Sequence, residues 1–456
     1  NEDTLLTLTD HLPAEASEAL IELATGGKPR LTPTVIAPEN PFEHPDAQRR
    51  FRVMTNIDEL TQALDFPWEK WTVFLHPEQK QWIQRDYTGA SRVSGSAGTG
   101  KTIVALHRAV FLVRNNPDAR VLLTTYSDVL ANALQTKLKH LLGSEPRLAE
   151  RLEVHSIDAI GSRLYKLLVG QPTIATHANI SDLLKTASQE IGDHKFSHQF
   201  LITEWEQVVD AWQLETWDAY RDVVRLGRKT RLPEPQRKVI WSIFEHLRAS
   251  LKSKNLITRS ELFSKLAAAL VGSKNPPFDF VVVDEAQDLG VAHIRFLAAL
   301  GSSRPDGLFF AGDLGQRIFQ QPFSWLALGV DIRGRCRTLR VNYRTSHQIR
   351  MQADRLLGPE IADVDGNTED RGHTVSVFNG SEPEILRLAT QDLEINSVAD
   401  WILQRSKVGV LPQEFGVFVR SANELDRARS AVKKAGLSFK VLDENVETTS
   451  GHISIS

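Results

Sequence analysis

The run Gly95-Ser96-Ala97-Gly98-Thr99-Gly100-Lys101-Thr102 fills every fixed position of the pattern G-x-x-x-x-G-K-[ST]. Its flanks fit as well: Ala90 to Ser94 can form a short strand, and Ile103 to Val110 reads as a helix. A strand, a glycine-rich turn and a helix in that order aim backbone N–H groups and the positive end of a helix dipole at phosphate oxygens. In such a loop Lys101 reaches the β- and γ-phosphates, and the Thr102 hydroxyl can ligate Mg²⁺. A chance glycine-rich turn accounts poorly for this ordered context. The stretch predicts an α/β domain that cradles a nucleoside triphosphate.

Working outward, Phe280-Val281-Val282-Val283 is a continuous apolar run of the kind a buried parallel strand needs, and it leads into Asp284-Glu285-Ala286-Gln287-Asp288. Functional groups gather at the carboxyl ends of such strands. Asp284 is then placed to hold Mg²⁺ through a water, and Glu285 to polarise the attacking water. A third strand, Leu308 to Ala311, ends in Gly312-Asp313-Leu314-Gly315-Gln316, whose Gln316 amide can contact the γ-phosphate or its water. Further on, Asn342-Tyr343-Arg344 begins a second α/β unit, with Thr345 to Gln348 as a capping box. An arginine such as Arg344, presented across an inter-domain cleft, can stabilise charge on a transferring phosphoryl group. A surface ion pair is the plainer reading of Arg344 alone. Upstream, the Gln79 amide can both donate to and accept from an adenine edge.

The bulk properties set limits. A chain of 456 residues suits about two to four domains. With 41% hydrophobic and 24% charged residues it has an ordinary globular composition. Net charge is −3, so nucleic-acid contact must come from local basic patches. One such patch is Arg221, Arg225, Arg228, Lys229 and Arg231, followed by Arg237 and Lys238 and preceded by Trp205, Trp212, Trp217 and Tyr220. Core packing is the favoured reading of the tryptophans; the basic residues suit DNA phosphates and a solvated loop equally. Cys336 is the sole cysteine, which excludes a disulfide framework and fits a reducing, cytoplasmic setting. No apolar run approaches the ~18 residues of a membrane span.

Residues 1–65 read as a helical extension, amphipathic from Glu2 to Leu23, with a Pro-rich linker from Gly26 to Pro45. From Phe66 short apolar strands alternate with longer helices, the signature of a parallel sheet. Strands are expected at Arg120–Thr125, Phe278–Asp284, Gly307–Gly312 and Thr338–Asn342, and in the second unit at Thr374–Phe378, Phe415–Arg420 and Ser438–Leu442. The reading between them, at about 160–275, is nearly all helical. Ser421 to Glu424 opens a helix that runs to Lys434, with Gly436 at its C-terminus. The alternating end, His452 to Ser456, looks like an unfinished strand, so a fragment is expected.

In this order the motifs resemble those of superfamily 1 DNA helicases of the UvrD/Rep/PcrA type, over Phe66 to Ser456. Leu75–Gln79 resembles the adenine-reading Q motif, Gly95–Thr102 motif I, Thr124-Thr125-Tyr126-Ser127 motif Ia and Val154-His155-Ser156 the region after it. Asp284–Asp288 is similar to motif II, Gly312–Phe319 to motif III, Asn342-Tyr343-Arg344 to motif IV, and Val419-Arg420-Ser421 to the next motif. The resemblance implies two RecA-like parallel-sheet domains: 1A at 66–340, carrying a helical 1B insertion, and an incomplete 2A at 341–456. It implies ATP and Mg²⁺ as cofactors, Tyr343 stacked on adenine, Arg344 on the γ-phosphate, and 3′→5′ movement along single-stranded DNA or at a junction with duplex. Thr125, Tyr126, His155, Phe319 and Trp325 become the DNA-facing set, with Tyr126 stacking on a base; core packing is the competing reading of Tyr126.

Three departures stand out. Phe319-Gln320-Gln321 replaces the Tyr-x-Trp that ends motif III in the family, with Phe323 and Trp325 as the next aromatics. Only Asp443 to Gly451 separate the strand ending at Leu442 from His452, which implies that the 2B domain is absent or reduced. Motifs V and VI would lie beyond Ser456, which implies weak hydrolysis by the chain as it stands. The N-terminal part, Glu2–Gly26 and Phe51–Trp71, resembles a bacterial subgroup whose members can carry a RelE/ParE-like toxin domain. A regulatory ATP-dependent switch acting on a toxin-like or other protein partner is therefore the alternative to a motor, and a P-loop kinase a distant third.

Overall fold

Alternating apolar side chains sort the central strands onto the two faces of one parallel sheet. The computed structural model describes residues 75, 77–143, 145–192, 194–223, 232–271, 275–302, 304–317, 322–358, 360–442 and 449–456, all within the unit Glu69–Ser456. The expected N-terminal extension and linker lie outside the described residues, as do Phe319, Arg225, Arg228, Lys229 and Arg231. Six strands, β1 (Ser91–Gly95), β2 (Val121–Thr125), β3 (Leu152–Ser156), β4 (Phe280–Val283), β5 (Leu308–Ala311) and β6 (Cys336–Leu339), form the sheet in the order β3-β2-β4-β5-β1-β6. Each pairing is parallel.

On one face Val121, Leu123, Val282, Phe309 and Ala311 pack against the helix Lys101–Asn115. On the other, Leu122, Val281, Val283, Leu308 and Phe310 meet the helices Ile157–Leu168, Arg259–Leu270 and Val291–Gly301. This is the period of two that strand geometry imposes. Val104, Leu106, Val110, Leu112 and Val113 of the first helix are buried, each contributing roughly 1.5–3 kcal/mol. The mixed α/β layering with a six-stranded parallel sheet is a RecA-like core.

Strand β1 could not be recognised as an apolar run, because Ser91, Arg92 and Ser94 interrupt it. All five residues are nevertheless buried. Two of these side chains find partners: Arg92 Nη1 donates to Asp363 Oδ2 at 3.0 Å, and Ser94 Oγ lies 3.2 Å from Thr338 Oγ1, while Ser91 Oγ has no hydrogen-bond partner among the described residues. Edge strand β3, unlike β1, was not anticipated; Glu153 and His155 alternate with buried Leu152, Val154 and Ser156.

The helical insertion has its own core, from Ala175 to Leu251, with Trp205, Tyr220 and Trp241 buried in it. A parallel bridge between Ile174 and Ile257 closes its neck. This core is narrower than the helical span read from sequence, since the helices Ile157–Leu168 and Arg259–Leu270 belong to the sheet's packing layer. Among the described basic residues, Arg221 pairs with Asp218 and Asp222, and Lys238 with Glu234. Arg237 donates to the Leu232 and Arg221 carbonyls.

The expected strand Thr338–Asn342 is broken at Arg340. Its first part is β6; its second, β7 (Val341–Asn342), leaves the sheet and pairs in parallel with β10 (Val375–Ser376). Between them lies an antiparallel hairpin of β8 (Glu360–Ala362) and β9 (Thr368–Asp370). A separate parallel sheet has the order β11-β13-β12, from β11 (Gly416–Val417), β12 (Ser438–Val441) and β13 (His452–Ile455). Helices Gln391–Lys407 and Leu425–Lys434 cover it around Ala399, Ile402, Val432 and Ile453. Gly436 takes φ 71°, closing the second helix as expected. Both expected N-terminal caps shift. Ser346, not Thr345, accepts from Ile349 N, and the second helix is entered through a turn at Ala422–Glu424 with no side-chain cap.

Candidate active site

The loop after β1 sits at the carboxyl end of the sheet, beside the ends of β4 and β5. Gly98 and Gly100 take φ 88° and 84°, a left-handed conformation that β-carbons disfavour. Space excludes a side chain at both. A β-carbon at Gly98 would lie 2.4 Å from Asn342 Oδ1, and one at Gly100 would lie 2.5 Å from Gln79 Nε2. Gly100 is the N-cap of the following helix and supplies no side-chain cap, so the first-turn N–H groups stay available to an anion. Buried in the same loop, the Ser96 hydroxyl has no hydrogen-bond partner among the described residues. Lys101 folds back on the loop: Nζ donates to Gly95 O at 2.8 Å and Ser96 O at 3.0 Å. Glycines, orphaned hydroxyl, open helix end and lysine together fit a polyphosphate.

Gln79 enters this cradle from the helix Pro77–Gln84. It is buried, and its amide donates to Thr99 O at 3.1 Å. Arg108 fixes the other end of that helix. Wholly buried, it donates through Nη1 to Ile83 O (2.6 Å) and Arg85 O (2.8 Å), and through Nη2 to Asp306 Oδ1 (2.5 Å).

Asp284 is buried beneath the loop and hydrogen-bonded to the Thr102 hydroxyl. Burial and the adjacent Glu285 charge push its carboxyl up to about 7. A hydroxyl and a costly buried carboxylate form a hard oxygen pair that fits Mg²⁺. Glu285 takes φ 53°, unusual for a residue with a side chain. Its Oε2 accepts from Gln287 Nε2 at 2.6 Å, while Gln287 Oε1 accepts from Asp313 N at 3.0 Å. Gln287 thus ties the end of β4 to the end of β5, a role that its place inside the Asp284–Asp288 run did not disclose. Gln316 is exposed, with Nε2 donating to Asp313 Oδ2 at 2.9 Å.

The segment after β6 closes over the loop. Asn342 Nδ2 donates to Ala97 O at 2.8 Å, and Tyr343 N to Gly98 O at 3.0 Å. Asn342 Oδ1 in turn accepts from the N–H groups of Arg344 and Thr345. Arg344 is thereby held at Gly98, exposed and without an ion-pair partner among the described residues. Lys101, Thr102, Asp284, Glu285, Gln316, Tyr343 and Arg344 therefore lie on elements that meet around one loop.

The expected DNA-facing set divides. Tyr126 is 40% exposed just beyond β2. His155 lies on β3 paired with Thr124, half-buried, with Nε2 near Glu153 and Arg163. Two expectations are corrected. Trp325 is buried, its ring 4.7 Å from Phe310 and under the Arg92 guanidinium, so the core occupies the face a base would need. Thr125 is also fully buried, which removes its side chain from the surface.

A RecA-like sheet with this loop, a buried acidic strand end and a second unit leaning on the loop defines a P-loop nucleoside triphosphatase. The family model of the UvrD/REP helicase N-terminal domain matches residues 75–321, more than half of the chain. The chain belongs to the UvrD/Rep helicase family. Membership makes it a helicase-type, nucleic-acid-dependent ATPase with DNA as its substrate class; members use ATP with a divalent metal. Among curated proteins none matches the chain. No described helix is long and apolar enough to cross a membrane.

Proposed function

We propose that the protein moves along single-stranded DNA in the 3′→5′ direction, driven by ATP hydrolysis between the RecA-like sheet domain and the unit that begins at Val341. The observation that carries this reading is the seating of Asn342 and Tyr343 on the loop carbonyls of Ala97 and Gly98, which holds the Arg344 backbone and Cβ beside Gly98, its side chain exposed and without an ion-pair partner among the described residues. In this reading the loop and Lys101 bind the β- and γ-phosphates, Tyr343 stacks on adenine, and Gln79 couples the base to the loop. Glu285 accepts the proton of the attacking water, held in place by Gln287. Gln316 senses the terminal phosphate, and Arg344 stabilises the charge that develops on it. Thr102 and Asp284 would hold Mg²⁺, which when bound neutralises phosphate charge. Exposed Tyr126, just beyond the end of β2, supports base stacking without sequence readout, and His155 lies on the neighbouring strand opposite Thr124.

The test is translocation on single-stranded DNA labelled at either end. ATP-dependent arrival at the 5′ end is expected, and Glu285→Gln should abolish it while nucleotide binding stays within a few-fold. Arrival at the 3′ end, or ATP-dependent binding without movement, contradicts the proposal.

A further inference from the structure

Behind the loop lies a chain of charged side chains that no motif of the sequence announces. Asp313, wholly buried, stands at its centre. Its Oδ1 accepts from Arg371 Nη1 and from Gly315 N, both at 2.8 Å. Its Oδ2 accepts from Gln316 Nε2 and faces Lys101 Nζ at 3.9 Å. Arg371 also donates to Glu369 Oε1 at 3.2 Å and reaches Asp354 at 3.5 Å, and Asp354 is paired with Arg350. Glu369, wholly buried too, accepts from Leu314 N through Oε2. A β-carbon at Gly315 would come within 2.7 Å of Arg371 Nη1, so the turn is shaped to receive this arginine.

Glu369 and Arg371 come from the β8–β9 hairpin and its exit, and that hairpin is fastened to the sheet domain. Asp363 pairs with buried Arg92 at 3.0 Å, and Asp365 accepts from Trp325 N at 2.7 Å and Leu326 N at 3.0 Å. Asp363 Oδ1 also accepts from Asp365 N and Asn367 N, which fixes the hairpin turn. The two residues are therefore delivered to the turn Asp313–Gln316 by a braced element.

We infer that Arg371 and Glu369 are positioning residues for the nucleotide site: Arg371 occupies Asp313 so that Lys101 remains free to engage phosphate, and Glu369 moderates that hold. The inference rests on the reading of Lys101 as the phosphate-binding lysine. Asp313 is flanked by two cations, Arg371 in contact and Lys101 just beyond it. Remove Arg371, and Lys101 is the nearest cation left to a buried carboxylate, which draws it away from the phosphates. Remove the charge of Glu369, and Arg371 is given over to Asp313, loosening its pull on Lys101. Burial and the charge of Asp313 push the Glu369 carboxyl up, as two neighbouring buried carboxylates require. The two substitutions thus act in opposite directions, which a merely structural role would not produce.

The experiment is equilibrium binding of a fluorescent, non-hydrolysable ATP analogue to the full chain, with a thermal melt for each variant. Arg371→Met should weaken binding at least about fivefold, Arg371→Lys should recover most of it, and Glu369→Gln should bind as tightly as the parent or more tightly. Glu369→Gln is isosteric and keeps an acceptor for Leu314 N, so it tests the charge with the fold preserved. Lys101→Ala is the control. If it loses binding while Arg371→Met stays within twofold of the parent, or while Arg371→Met and Glu369→Gln weaken binding alike, the positioning role is overturned and the loop assignment stands. If Lys101→Ala binds like the parent, the loop assignment itself falls.

Discussion

Gly98 shows how far one position can carry a site. Its left-handed backbone lets the loop turn, and its missing side chain lets Asn342 Oδ1 and the Arg344 Cβ approach. Gly98→Ala should both strain the backbone and push the Asn342–Arg344 segment away from the loop. We expect a stability loss of about 2 kcal/mol, from the left-handed backbone and the collision, together with weaker binding of an ATP analogue. Urea denaturation and analogue titration check the two parts. An alanine variant with unchanged analogue affinity would separate the loop from Arg344. At this scale the sequence was informative where chemistry is local: Lys101, Thr102, Asp284 and Glu285 fall where their motifs put them. It misled at Trp325 and Thr125, because exposure depends on which neighbours pack there. It was silent on Arg371 and Glu369, whose partners lie over 50 residues away at Asp313 and Leu314.

Elements were legible to the extent that one face repeats. The helix after the loop and strands β2, β4 and β5 are apolar at the right period. Strand β1 was harder, since Ser91, Arg92 and Ser94 interrupt it and only Arg92 and Ser94 find side-chain partners, in Asp363 and Thr338; β3 is an edge strand whose Glu153 and His155 are not buried. The neck of the helical insertion carries a different kind of polar burial. Asp210 accepts from Thr258 Oγ1 at 2.5 Å and Gln213 Nε2 at 2.8 Å, and burial pushes its carboxyl up to about 6. Nearby, His293 lies edge-on to Phe263 at 4.5 Å, and burial, then Arg259, lowers it to about 4. Asp210 holds its proton more tightly when folded, so its contribution is complete below about 3.8 and is lost as pH rises through about 6. His293 does the reverse: its contribution is complete above about 6.5 and is lost as pH falls through about 4. Both side chains keep some solvent contact, so each is worth roughly 1–2 kcal/mol, and they oppose each other between these limits. Asp210→Asn, which mimics the protonated acid, should leave the His293 slope alone. Its melting temperature should then fall more steeply than the parent's between pH 6.5 and 4.5. Parallel curves would remove one of the two groups from the balance.

At the scale of the molecule, the decisive fact is that one loop is shared. The sheet domain forms the loop, and the chain that leaves β6 brings Asn342 and Tyr343 onto it; in the proposed reaction the sheet domain would supply the metal ligands and the base, and Arg344 the cation. The same chain then runs through the β8–β9 hairpin, still fastened to the sheet domain through Arg92 and Asp313. The sequence suggests a second unit beginning near Val341, and the strand expected at Thr338–Asn342 breaks at Arg340. It did not reveal that β7 pairs with β10 apart from the β11-β13-β12 sheet, a choice set by pairings between distant segments. Arg344 is the residue on which the central claim turns, since it is the one cation from beyond Arg340 that stands unpaired at the cradle among the described residues. The most direct measurement is therefore steady-state ATP hydrolysis by Arg344→Ala, with single-stranded DNA present and nucleotide affinity measured alongside. The account predicts a fall in kcat of at least about 100-fold with nucleotide affinity within a few-fold of the parent. An unchanged kcat would contradict it.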